Sequence, residues 1–318
     1  MHESDLNRRQ ALRAATAAAM GGAAAAAAAQ SAAPKRVMRF DDPIWNREVK
    51  ARMDGSVDPK KFIYGSVTGT VCGVRDNERV KPLMRFEVFS TIRMVPQPNG
   101  SYQRLCREVV FYRDLASGKL LDHWDNPYTG ERVRVVDVAN DPFNYVISEW
   151  FPDPPSYGGL NKEKPPRRPF LLNWAMGDED TVTLETDIHL YYPSALRPEK
   201  WPRETPGPMS RVSEMFRFFA RRADVENPEL DFIPSHGVWS RITPWLPWML
   251  MDQAPGHIVY LGNMATRRTS DLHPRDVMQR VKERYPRYLT APETWEEPSL
   301  SSLERYAREQ TPAPARAK

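Results

Sequence analysis

Three stretches carry residue types whose spacing could support chemistry. In "TLETDIHLYY" (183–192), a strand period places Glu185, Asp187, His189 and Tyr191 on one face, and Val182, Leu184, Ile188 and Leu190 on the other. An acid beside a histidine fixes its tautomer and raises its basicity, so His189 with Asp187 is a candidate general base and orienting acid. The same polar trio could hold a metal, or it could be only the solvated face of a strand. In "SHGVWSRITPWLPWMLM" (235–251), His236 is an alternative base and Arg241 a candidate stabiliser of developing negative charge. Trp239, Trp245 and Trp248 there could line a pocket for an aromatic guest, or plug one end of a fold. In "DHWDNPYTGERV" (122–133), Trp124, Asn126, Tyr128 and Glu131 could present hydrogen-bonding groups to a ligand. The plain alternative is a turn in which Asn and Thr satisfy their own backbone.

The elements that must position these residues read mostly as strands. "KFIYGSVTGTVCGVR" is rich in β-branched residues, with Gly65, Gly69 and Gly73 on one face, which suggests close approach of another segment or a strong bend. Two long alternating runs flank "PQPNG", an Asn-Gly hairpin signal. In the first run Met84, Phe86, Val88, Ile92 and Met94 share one face, while Arg85, Glu87, Thr91 and Arg93 share the other with Phe89, as in a half-buried antiparallel strand. Short strands follow on either side of "NPYTGE", and "NDP" at 140–142 makes a further turn. Residues 152–169 hold six prolines and two glycines and read as a long loop. Two strands flank "GDED", and two more lie near Val238–Thr243 and His257–Met264. Helices are expected around Trp45–Met53, over Met209–Ala223 and over Pro274–Arg284. The second rests on Val212, Met215, Phe216 and Phe219 at i, i+3, i+4 and i+7.

The fold class this implies is mainly β: an antiparallel up-and-down, lipocalin-like barrel or strongly curled sheet with one or two packed helices. The expected organisation is a signal over 1–29, an arm over 30–60, one β domain over 61–290 and an extension over 291–318 whose tail is disordered. The signal reading comes from Arg8-Arg9 ahead of an Ala-rich run, with Leu12 where a twin-arginine motif prefers an aliphatic residue, and cleavage after Ala29. It places the mature protein in the periplasm or outside the cell. The twin-arginine machinery is then a partner, and no stable membrane insertion is expected. That compartment permits a disulfide between Cys72 and Cys106 if their strands bring them face to face.

Composition narrows the function. The chain has 318 residues, a formal net charge of +4, 41% hydrophobic and 27% charged residues, and no basic run, which argues against nucleic acid as a partner. No phosphate loop, dinucleotide fingerprint, nucleophile elbow or zinc-helix motif is present, so no cofactor is expected. The leading expectation is a cofactor-independent lyase, isomerase or hydrolase acting on a small hydrophobic or aromatic compound. The alternative is a non-catalytic carrier with the same pocket. A third class, an envelope-interaction protein, would expose a large apolar patch.

"SGKLLDHWDNPYTGERVRVVDVANDPFNY" resembles the signature of the bacterial family catalogued as domain of unknown function 1838, as do the twin-arginine signal and "PWLPWMLM". The resemblance covers roughly residues 40–290 and implies a common fold. It brings no reaction and no catalytic residue with it.

Overall fold

A computed structural model describes residues 38–139, 143–153, 166–297 and 300–316. The segment read as an export signal, the "NDP" turn and most of the proline-rich loop lie outside the described residues. Helix α1, Pro43–Asp54, starts where Asp42 caps the Ile44 and Trp45 amides and Pro43 supplies a preset φ. Three long strands follow: β1 (Ile63–Val74), β2 (Lys81–Pro96) and β3 (Tyr102–Arg113). The expected hairpin joins β2 to β3, with Gly100 at φ 81°. A small separate hairpin, β4 (His123–Asp125) with β5 (Arg132–Arg134), carries the Asn-Pro turn. Short strands β6 (Val138–Ala139) and β7 (Tyr145–Ile147) pair with β3. Then come β8 (Asn173–Met176), β9 (Thr181–Pro193), β10 (Met209–Arg221), the short α2 (Arg222–Glu226), β11 (His236–Thr243) and β12 (His257–Arg267). Helices α3 (Arg275–Arg284) and α4 (Ser302–Glu309) close the order.

Ten strands form one antiparallel sheet in the order β6-β3-β2-β1-β12-β11-β10-β9-β8, with β7 beside β6 on β3. The first and last long strands meet at mid-sheet: β1 pairs with β12 from Tyr64–Arg267 to Val74–His257. The sheet is not closed. Its edges are β6 and β7 on one side and β8 on the other, and no pairing joins them among the described residues, so of the two expected forms, barrel or curled sheet, the closed barrel is not seen. Arg39–Lys318 is one compact unit that includes α1 and α4. No helix among the described residues is long and apolar enough to cross a membrane.

Alternation gives the sheet two faces, here named for two phenylalanines of β2, Phe86 and Phe89. On the Phe86 face, Met84, Phe86, Val88, Tyr112, Ile258 and Tyr260 pack against Trp124 and Val133 of the small hairpin and against Trp245, Trp248 and Met249. The glycine stripe of β1 lies on this face, and each position is closely approached. A Cβ on Gly65 would meet the Ser90 hydroxyl, one on Gly69 the Leu261 carbonyl, and one on Gly73 the Tyr128 hydroxyl. On the Phe89 face, Phe89, Val109 and Phe111 pack against Val277 and Val281 of α3 and against Tyr288. Arg113 fastens α3 there through two bonds to Asp276, at 2.6 and 2.9 Å, and one to Glu87 at 2.9 Å.

Three further expectations are corrected. Residues 209–221 form a strand, not a helix. The same segment also alternates with period two, and pairing along its whole length with β9 and over 213–219 with β11 decides the matter. Cys72 and Cys106 form no disulfide. Cys106 stands opposite Ile92, which stands opposite Ile63, nine residues along β1 from Cys72. At ~3.3 Å per residue the two are about 30 Å apart, far beyond disulfide reach. Finally, the tail expected to be disordered is docked as far as Arg316, which pairs with Glu131 and Asp252.

Candidate functional site

Four neighbouring strands leave their Phe89 face uncovered among the described residues. Register sets two rows across it: Glu185, Arg217, Val238, Asn263, and beside it Asp187, Met215, Ser240, Leu261. These rows, with the intervening Phe216 and Trp239, line an open depression of about 690 Å³. Asn173 of the edge strand bounds one side and donates to Glu185 at 3.3 Å. The floor is apolar: Met215 is 37% exposed, Val238 46% and Leu261 53%, with Ile242 (40%) in the next row. Contiguous exposed apolar side chains inside a polar rim mark interaction sites on soluble proteins. The rim holds two ion pairs, Arg217–Glu185 at 3.3 Å and His189–Asp187 at 3.2 Å, all four side chains about half exposed or more.

His189 and Asp187 are thus brought together as their spacing on β9 suggests, at the lip of this depression. The other two catalytic candidates are not. His236 is on the same face but level with Thr183, six residues along β9 from His189, hence about 20 Å away along the strands. Its Nε2 lies 3.0 Å from the Arg267 guanidinium, and burial together with that charge lowers its pKa. Arg241 points to the opposite face.

That opposite face holds a polar cluster the sequence reading missed. Arg241 pairs with Glu214 at 3.3 Å, and Trp239 donates its indole N–H to the same carboxylate at 3.0 Å. Beside them the Tyr112 and Tyr260 hydroxyls are 2.9 Å apart. Burial raises both phenols, Tyr260 to about 12, so they act as a neutral donor–acceptor pair and not as bases. Phe86 meets Trp239 and Tyr260 edge-on, with ring centroids at 5.7 and 5.0 Å. The available signal was the alternation in "SEMFRF": read as a strand, it would have put Glu214 beside Phe216.

The remaining candidates lie outside this depression. Asn126 is buried; its Oδ1 accepts from the Tyr128 amide at 2.9 Å and its Nδ2 donates to the Met249 carbonyl at 2.7 Å. This one residue thereby closes its own turn and ties it to the Trp/Met segment. Trp124 and Trp248 are buried edge-on to each other, and Trp245 donates to the Ala254 carbonyl. Tyr128 packs on Trp245 between the cationic ends of Arg75 and Lys81, and Glu131 binds Arg203. No three His, Cys, Asp or Glu side chains gather as a metal site would require among the described residues.

Among curated proteins none matches this sequence. A family model does match, over residues 60–310, which takes in β1, the hairpin turn, the exposed strands and α4. The chain therefore belongs to the family described as protein of unknown function, domain of unknown function 1838.

Proposed function

We propose that this protein binds a small hydrophobic or aromatic compound in the depression on the Phe89 face, and that it does so as a carrier. The observation that carries the reading is the apolar floor of Met215, Val238 and Leu261, left open and rimmed by Asn173, Glu185, Asp187 and Arg217. Such a floor takes an apolar body, and the rim takes a hydrogen-bonding end. In this reading the strands curl about the guest without closing over it. The Arg8-Arg9 segment supports export by the twin-arginine route to the periplasm or beyond.

A second reading is favoured by the 3.2 Å contact of His189 with Asp187 at the lip: a cofactor-independent lyase, isomerase or hydrolase using that pair as base and orienting acid. Separation of Arg241 and His236 from the pair weighs against it, because neither of the two groups expected to assist it converges there. Mass spectrometry of compounds that co-purify with the exported protein supplies the ligand. Leu261→Arg should abolish binding of that compound while thermal unfolding stays unchanged; unaltered binding refutes the assignment. His189→Ala should leave binding intact, and loss of a measurable conversion in that variant would favour the enzyme.

A further inference from the structure

Beyond α4 the polypeptide runs across the plug that covers the Phe86 face. Tyr306 packs edge-on to the buried Trp201, and Arg134 grips Gln310. The next residues, "TPAPAR", hold Pro312 and Pro314 at alternate positions. Side chains hold their backbone. The Ala313 amide donates to Glu204 Oε1 at 2.5 Å, and the Pro314 carbonyl accepts from Arg203 at 3.4 Å. Arg316 then sets its Nε 2.7 Å from Asp252 and 3.2 Å from Glu131. Those two carboxylates also grip Arg203, at 2.8 and 2.5 Å.

Three features mark this as a site and not a chance surface contact. Glu131 and Asp252 face one resident cation, Arg203, an excess of one negative charge (two minus one) that Arg316 cancels. Glu204 is 3% exposed, and its Oε2 has no hydrogen-bond partner among the described residues, so the tail satisfies only half of that carboxylate. It lines a recess of about 40 Å³ with Arg203, Trp245 and Gly256. The loop that presents Asp252 holds Leu250, Asp252 and Gln253 at φ of 53°, 51° and 61°, a left-handed run of non-glycine residues that the surrounding packing must enforce.

We propose that Glu131, Arg203, Glu204 and Asp252 form a binding site for an extended, proline-containing peptide segment of another protein that carries an arginine, and that residues 313–316 occupy it in cis. The chemistry is matched residue by residue. A carboxylate takes a backbone amide, a guanidinium takes a backbone carbonyl, and an acid pair takes the arginine two residues further on. Proline lowers the ordering cost of an extended ligand. A ligand that also donates to Glu204 Oε2 out-competes the tail.

The test is anisotropy of a fluorescent EQTPAPAR peptide, residues 309–316, titrated into the full-length protein and into Arg316→Glu and Ala313→Pro variants. Each variant removes one cis contact at the exposed tail: the guanidinium in the first, the donating amide in the second. Both should bind the peptide at least tenfold more tightly than the wild type does. Adding Glu131→Gln and Asp252→Asn to Arg316→Glu should reverse the gain. Equal binding by wild type and both variants, or a gain that survives loss of the two carboxylates, overturns the proposal. A wild-type dimer in sedimentation that Arg316→Glu dissolves would place a second copy's tail in the site and overturn the cis assignment.

Discussion

Strands β2 and β9 are similar in length and in alternation, yet only β2 is enclosed on both sides. Along β2, Thr91 and Arg93 are buried, as is Ile92 between them. Along β9, Glu185, Asp187 and His189 are exposed, and so is Ile188 on the other face. The difference lies in what returns to each. Residues 285–296 cross the Phe89 face over β2 and β3, where the Tyr288 carbonyl accepts from Thr91, the Pro292 carbonyl from Arg93, and the Arg287 and Thr290 carbonyls from Arg107. No such segment covers β9–β12 among the described residues. A polar strand face is therefore not by itself a wet one: an arginine on a sheet becomes a tether when distant backbone carbonyls reach it. Conversely, Val238 and Leu261 stay exposed because no segment among the described residues returns over them.

The contrast can be broken, beginning with the largest effect. Phe86→Ala removes a fully buried ring seated over Gly262 and should cost roughly 3–5 kcal/mol in urea unfolding. A cost below about 1 kcal/mol would mean the enclosed half is loosely packed. Acid is the next probe. His273 is buried against Phe89, with neither ring nitrogen hydrogen-bonded among the described residues, and burial lowers its pKa from 6.5 to about 4. The unfolded state takes the proton first, so this contribution is complete above pH 6.5 and is lost as pH falls through 6.5 towards 4. It amounts to about 3 kcal/mol. His273→Leu should unfold with a flatter dependence across that window; parallel curves would show that the ring is not sealed in. Arg113→Met frees α3 and strands the half-buried Glu87, at a cost of roughly 2 kcal/mol after allowing for the half-exposed Asp276. Hydrogen exchange should then rise across residues 275–296. The smallest effect should come from the open half: Leu261→Ala should change stability by no more than about 0.5 kcal/mol. A large loss there would mean that this face is covered after all.

Local signals carried much of the architecture into the sequence. "PQPNG" marked its hairpin, Asn126 its turn, the β1 glycines their close contacts, and Val277 with Val281 the buried stripe of α3. What stayed hidden depends on partners far away in sequence. "VSEMFRFF" satisfies both the helical and the strand period, and only the flanking β9 and β11 choose between them. Alternation in β2 reads as one wet face because the carbonyls that dry it, at Tyr288 and Pro292, come so much later. Strand number cannot say whether the β8 edge finds β6 and β7. For the depression, the pairing of His189 with Asp187 was legible, but its floor was not, since Met215, Val238 and Leu261 look like ordinary core residues until register puts them side by side.

The pairing of β1 with β12 sets a timetable for biosynthesis. β1 leaves the ribosome with one side ready to hydrogen-bond, and its mate begins at His257, 183 residues after β1 ends at Val74. At roughly 5–20 residues per second that is a wait of about 10–40 s, during which β1 is an adhesive border open to other nascent polypeptides. Stalled translation products of increasing length should become protease-resistant abruptly once Arg267 clears the exit tunnel. Resistance that builds up gradually from β3 onward would show that the first three strands can stand alone.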